Sequence, residues 1–113
     1  MFYNAQTNNQ GQLQGRVVFV KELSEGKMAI ITLVIDNGKD KDGKKREPSF
    51  LQVKSFQPNI YNHLVKGMLV RVYTHLSADK YEKAGETKYS QDTIADCIEF
   101  LESKSAVQAR EDF

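Results

Sequence analysis

Pro48 to Phe56 reads P-S-F-L-Q-V-K-S-F, and its period of two sorts the side chains onto the two faces of a strand. Phe50, Gln52, Lys54 and Phe56 fall on one side; Leu51, Val53 and Ser55 fall on the other. Leu51 and Val53 already supply an apolar inner face. The outer face then carries two phenylalanines with a lysine between them. Such a face loses apolar surface to water unless something flat covers it. Nucleic-acid bases have apolar faces and hang from a charged backbone, so aromatics interleaved with cations are the surface that matches them. In that chemistry Phe50 and Phe56 stack on bases and Lys54 meets a phosphate. The competing reading is that the same two rings cover a second core or a subunit contact, or that Lys54 is a solvated charge; this strand alone separates none of these.

Other chemistry finds less support. His63 and His75 have no partner spacing that suggests catalysis or ligation, and two histidines, one cysteine and scattered carboxylates make no zinc site. The chain has no phosphate-cradling glycine loop of the P-loop or dinucleotide-binding kind. No Ser-His-Asp constellation can be argued from it. The reading is therefore of a binding protein, with neither enzyme activity nor cofactor nor metal.

The elements that must position the outer face follow from the pattern along the 113 residues, a length that suits one domain with a modest core. Residues 1–14 are rich in Asn, Gln and Gly and read as a polar arm without the features of a secretory signal. Gly15 to Leu23 reads as a first strand and the β-branched run Met28 to Ile35 as a second. Between Ile35 and the third strand, Asp36 to Glu47 carries N-G and D-G turn signals, Lys39, Lys41, Lys44, Lys45 and Arg46. The second and third strands thus form a hairpin with a basic tip, and Arg46 with the neighbouring lysines could guide a nucleic-acid strand along it. A solubilising loop of mixed charge is the plainer alternative, above all for Lys39 and Lys41. Pro58 to Val65 suggests one or two helical turns ended by Lys66-Gly67. Leu69 to Leu76 is a fourth strand, residues 77–88 a polar hairpin loop, Tyr89 to Leu101 a fifth strand, and residues 102–113 a polar tail. Cys97 lies in an apolar-periodic stretch and reads as a buried thiol.

Five strands with a short helix between the third and fourth is the element order of an all-β OB-fold barrel. In that fold the second and third strands form the binding face, flanked by the first hairpin loop and by the loop between strands four and five. The formal net charge is only +1, which would argue against nucleic acid. It conceals an asymmetry: residues 1–90 hold 14 Lys/Arg against 9 Asp/Glu, and residues 91–113 hold 2 against 6. Local potential governs the steering of a charged ligand, so the separation weakens the objection. No apolar run approaches the ~20 residues that span a bilayer as a helix.

The order of blocks also resembles a family, the bacterial and phage single-stranded-DNA-binding proteins. G-R-V-V-F-V-K-E-L is similar to its opening strand, A-I-I-T-L-V-I to its second and S-F-L-Q-V-K-S-F to its aromatic-bearing third. H-L-V-K-G-M-L-V-R-V resembles the helix end, Lys-Gly turn and fourth strand, and Y-S-Q-D-T-I-A-D-C-I-E-F-L the last strand. The resemblance covers residues 15–101. It implies an OB-fold domain over those residues, stacking at Phe50, Phe56 and Tyr81, and phosphate contacts at Arg16 and Lys80. It also implies cytoplasmic protection of single-stranded DNA in replication and recombination by a homotetramer, with a dimer as the next choice. One departure is the absence of tryptophan, since the end of the second strand in the family often carries a stacking one. Another is the short C-terminus, which suits a phage-like member. Glu111, Asp112 and Phe113 echo in miniature the acidic, phenylalanine-ended tip that recruits replication and recombination enzymes in the family; an ordinary charged terminus is the simpler reading. The alternative function is an OB-fold accessory that works through protein contacts and binds single-stranded DNA or RNA weakly.

Overall fold

A computed structural model describes residues 9–111. Five strands run in order: β1 (Gly11–Leu23), β2 (Met28–Ile35), β3 (Ser49–Ser55), β4 (Leu69–Lys83) and β5 (Glu86–Phe100). A 3-10 turn (Ile60–His63) lies between β3 and β4, and a helix, α1 (Lys104–Glu111), follows β5. The strands close a barrel in the order β1-β2-β3-β5-β4. All pairings are antiparallel except β3 with β5, where Lys54 faces Ile94 and Ser55 faces Ala95 in parallel. Closed, five-stranded and mostly β, the molecule is the OB-fold expected from the element order.

β1 is the strand that makes closure possible. Its first half pairs with β4 (Gly11 to Thr74 through Arg16 to Leu69) and its second half with β2 (Arg16 to Val34 through Leu23 to Met28). The change of partner occurs at a bulge between Val17 and Phe19, beside backbone bonds from Val17 N–H to Met68 O and from Gly67 N–H to Val17 O. Bulges sharpen local twist, which a strand needs in order to turn a barrel corner. Gly15 stands where β1 and β2 come closest: a Cβ there would meet Val34 O at 2.5 Å, so any other residue would push the strands apart.

Inside the barrel lie Val17, Ala29, Ile31, Leu33, Val53, Val70 and Val72, each nearly sealed from water. Ile60, Leu64 and Met68 cap one end of the core, and Val107 of α1 joins them. β2 alternates buried and half-buried residues from Met28 to Ile35, the pattern of a strand with one face in a core.

Three elements differ from the sequence reading. β1 starts at Gly11, so the last residues of the expected polar arm are strand, held by the ladder to β4 rather than by any apolar pattern. Residues 77–88, expected as a loop, are mostly strand: β4 and β5 stay paired from Ser77–Asp92 out to Lys83–Glu86. The ladder turns through Ala84 and Gly85, both at positive φ (55° and 78°), the geometry of a tight two-residue hairpin turn. Both faces of this projecting arm are wet, so its residues are polar and give no period-two signal. The expected tail contains α1, capped by Ser103 Oγ accepting the Ala106 N–H at 3.1 Å and anchored by one buried residue, Val107.

A different cause corrects Cys97, which is exposed rather than buried. β5 has a register shift where its pairing passes from Tyr73–Cys97 to Thr74–Ala95, leaving Asp96 as the extra residue. The extra residue reverses the alternation, and Cys97 emerges on the outside beside Tyr73.

Candidate nucleic-acid interface

Rows across the sheet define the outer face, because residues directly opposite in neighbouring strands point the same way. One row is Arg16–Val34–Phe50, a second Phe19–Thr32–Gln52, and a third Lys21–Ile30–Lys54, continued by Ile94 of β5. Phe50 is 63% exposed and Phe56, one residue beyond the end of β3, is 56% exposed. Their alternate neighbours Val53 and Ser55 are buried, so the period-two reading of this strand describes its faces. Leu51 is the exception: it lies on the inner side but is 39% exposed at the barrel rim, lining an open groove with Leu13, Leu76 and Thr93.

Lys54 does not stand free between the rings. Its Nζ lies 3.2 Å from Asp92 Oδ2 of β5, with both side chains about one-third exposed (33% and 34%). A phosphate arriving here competes with that carboxylate. Further along β5 the pattern repeats: Asp96 Oδ1 lies 2.7 Å from His75 Nδ1, and Glu99 pairs with Arg71 and accepts a bond from the Tyr73 hydroxyl.

Arg46 ends the β2–β3 loop. That loop is built from its own polar groups: Asp36 Oδ1 accepts the Gly38 N–H, Asp40 Oδ1 accepts from Asp42 and Lys44, and Asn37 donates to Glu47 O and to Ser49 Oγ. An isolated bridge joins Lys39 to Lys45, and the Arg46 N–H binds Gly38 O. These bonds hold five cations outward without using their side chains.

Lys80 and Tyr81 lie in β4, not in a loop, and each has a complementary partner across the arm: Lys80 faces Tyr89 and Tyr81 faces Lys88. One side of the arm therefore presents Tyr81 with Lys83 and Lys88, and the other Tyr89 with Lys80. Tyr81 is on the same side as Ser77 and Asp92, hence continuous with Lys54; Lys80 and Tyr89 are on the other. Tyr89, 70% exposed, is the most exposed of the large apolar and aromatic side chains among the described residues.

Arg16 starts in the outer row with Phe50, but its guanidinium turns aside. It donates to Gly67 O at 2.9 Å and to Glu102 Oε1 at 2.8 Å. Glu102 also binds Arg110 of α1 and accepts the Leu69 N–H. The Arg110 guanidinium, then the Leu69 N–H, with Arg16 adding to them, hold the Glu102 carboxyl at about 2 instead of 4.5. The structure thus brings Phe50, Lys54 and Phe56 together, sets Lys80 and Tyr81 on the arm, leaves Arg46 on the basic loop, and gives Arg16 to a clamp that fastens α1. Of the expected partner-recruiting tip, Glu111 ends α1, while Asp112 and Phe113 lie outside the described residues.

Phe19 was missed in the sequence. It is 61% exposed in the middle row of the same face. V-V-F-V is apolar throughout, and the bulge at Val18 removes the parity by which an outward ring would be recognised. Among the described residues no group of three or more His, Cys, Asp or Glu could hold a metal ion, and no helix is long and apolar enough to cross a membrane.

No model of a known protein family matches the chain. Individual proteins do. Single-stranded DNA-binding protein 2 of Streptococcus agalactiae is 27% identical over 104 residues, covering 89% of this chain and 79% of that protein. Single-stranded DNA-binding protein 1 of Staphylococcus aureus is 32% identical over 89 residues, 75% of this chain; the chain spans only 57% of that protein's length. Among solved structures, the Plasmodium falciparum SSB in complex with ssDNA superposes with a TM-score of 0.61 at 23% identity, covering 88% of this chain and all of that one. The small single-stranded DNA-binding protein of Streptomyces coelicolor gives 0.55 at 19% identity, covering 83% and 95%. In its five ordered sequence blocks and its closed OB-fold barrel, the chain is similar to these single-stranded-DNA-binding proteins over most of its length.

Proposed function

We propose that this protein binds single-stranded DNA without sequence preference and shields it during replication and recombination. The observation that carries the reading is the pair of exposed phenylalanines, Phe50 and Phe56, flanking Lys54 on the outer face of an OB-fold barrel. A ring that exposed offers its face to any base, because every base has a π-face. A duplex hides those faces in its own stack, so the surface selects unpaired strands. Tyr81 adds a platform on the arm, and Lys54, Lys80 and Arg46 neutralise phosphates. Arg16 contributes mainly positive potential, since reaching a phosphate would cost it Gly67 O and Glu102.

Binding of this kind needs no reaction, and the protein acts by occupancy alone, in the cytoplasm. A single OB-fold covers only a short stretch, so linking several copies raises affinity. We take the working unit to be a homotetramer, with a dimer as the alternative, and light scattering at micromolar concentration distinguishes them from a monomer. We take the domain to be the barrel from Gly11 to Phe100 with α1 packed on it, and the end of the chain, Glu111, Asp112 and Phe113, to recruit a recombinase or replication protein.

The test is fluorescence anisotropy with labelled single-stranded oligo(dT) and the corresponding duplex over a salt series. Tight, salt-dependent binding to the single strand and little to the duplex is expected. Equal or negligible binding to both would overturn the proposal.

A further inference from the structure

The row that contains Lys54 contains a second lysine. Lys21 of β1 and Lys54 of β3 face Ile30 of β2 from either side. With strands ~4.8 Å apart, the two backbones are separated by roughly 10 Å. The next row places Phe19 beside Thr32 and Gln52. β1 therefore repeats, two residues apart, the aromatic-and-cation combination of β3, and it does so on the same face. The β1 combination is the less encumbered of the two. Phe19 is 61% exposed, and no ion pair to Lys21 exists among the described residues, whereas Lys54 is shared with Asp92. The outward positions that link the two combinations, Thr32, Ile30 and Gln52, carry no charge and leave the floor between them unobstructed.

We propose that Phe19 and Lys21 form an additional subsite for single-stranded DNA on β1, Phe19 stacking on one base and Lys21 neutralising one phosphate. The strand then does not simply follow β3 but crosses the sheet from β3 over β2 to β1. This inference rests on the reading of the β3 face as the DNA site. Phe19 supplies a stacking ring in a chain that has no tryptophan anywhere.

The experiment uses the full chain and labelled oligo(dT) of increasing length, with Phe19→Ala, Phe19→Leu, Phe19→Tyr, Lys21→Gln and Phe56→Ala compared by anisotropy, and with light scattering on each. Phe19→Ala and Phe19→Leu should each weaken binding to long oligonucleotides by about tenfold, while Phe19→Tyr stays near the parent. The loss should vanish on oligonucleotides too short to reach from β3 to β1. Lys21→Gln should lower the magnitude of the log–log salt slope by about 0.7, the value for one phosphate on a single strand. Oligomeric mass should stay unchanged. The subsite is overturned if Phe19→Leu binds like the parent, because apolar bulk and not stacking would then suffice. It is equally overturned if the Phe19 variants change the mass, because the ring would then belong to a subunit contact. If Phe56→Ala weakens binding and Phe19→Ala does not, the subsite alone falls; if the parent chain binds no single strand, the underlying function falls with it.

Discussion

Two outward-facing surfaces of this barrel carry the same kinds of residue in different surroundings. The face of β1, β2 and β3 presents Phe19, Phe50 and Phe56 with Lys21 and Lys54; the base of the β4–β5 sheet presents Tyr73 with Arg71 and His75. None of the paired outward positions of the first face that run through Arg16, Phe19 and Lys21 carries a carboxylate. β5 carries three in succession along its outer side, and each is engaged: Asp92 with Lys54, Asp96 with His75, and Glu99 with Arg71 and Tyr73. The second surface satisfies its own cations, and the first leaves its rings bare. Aromatic and basic residues leave a face open to a ligand only where the neighbouring strand withholds the acids that would occupy them. Asp92 stands on the boundary and belongs to both surfaces.

The comparison breaks most decisively if the bare rings prove dispensable. Phe56→Ala should reduce affinity for oligo(dT) by about 1–3 kcal/mol, and Phe50→Ala with Phe56→Ala by more than either alone, both without lowering the thermal midpoint, since the rings cover little of the core. Next in size is a contrast between tyrosines. Tyr81→Ala should cost about 1 kcal/mol of binding, whereas Tyr73→Phe, which removes only the hydroxyl bound to Glu99, should leave the same titration unchanged. Equal losses from the two would erase the distinction between the surfaces.

Asp92→Asn tests the boundary. Freeing Lys54 from an ion pair that is one-third exposed should tighten binding by at most about 1 kcal/mol, read by anisotropy at low salt and fading as salt rises. Weaker binding instead would mean that Asp92 positions Lys54 rather than competing for it.

The smallest effect on binding should come from Glu102→Gln, since Glu102 belongs to neither surface. Its effect falls on stability. A carboxyl held at about 2 in the folded chain and at 4.5 when unfolded stabilises the fold fully above 4.5, and that contribution is lost as pH falls toward 2. The variant should therefore melt lower than the parent at neutral pH, and the difference should shrink on acidification through that window. A difference constant with pH would show that the Arg16–Glu102–Arg110 clamp contributes no charge-dependent stability.

How much was legible beforehand varied with local pattern. β2 was read at its observed ends because a β-branched run between turn signals has one interpretation. The faces of β3 were read because its alternation is uninterrupted from Ser49 to Ser55. Phe19 and Cys97 were misjudged or passed over for one shared reason: each follows a bulge, and one extra residue inverts every assignment beyond it. The outer half of the β4–β5 arm was read as loop because a ladder wet on both faces needs no apolar alternation. α1 was read as tail because one buried valine in eight residues is no periodic signal.

The sequence by itself determined the class of fold, the hairpin with its basic loop, and the aromatic face of β3, since these depend on residue type and short-range period. Only the tertiary structure decided which cations are available. Lys54, Arg71, His75 and Arg16 look alike along the chain as basic groups, yet each acquires a carboxylate from β5 or from Glu102, at separations of 21 to 86 residues that no local pattern encodes. Lys21 acquires none among the described residues, because the strand that closes against it is β2, whose outward residues are uncharged.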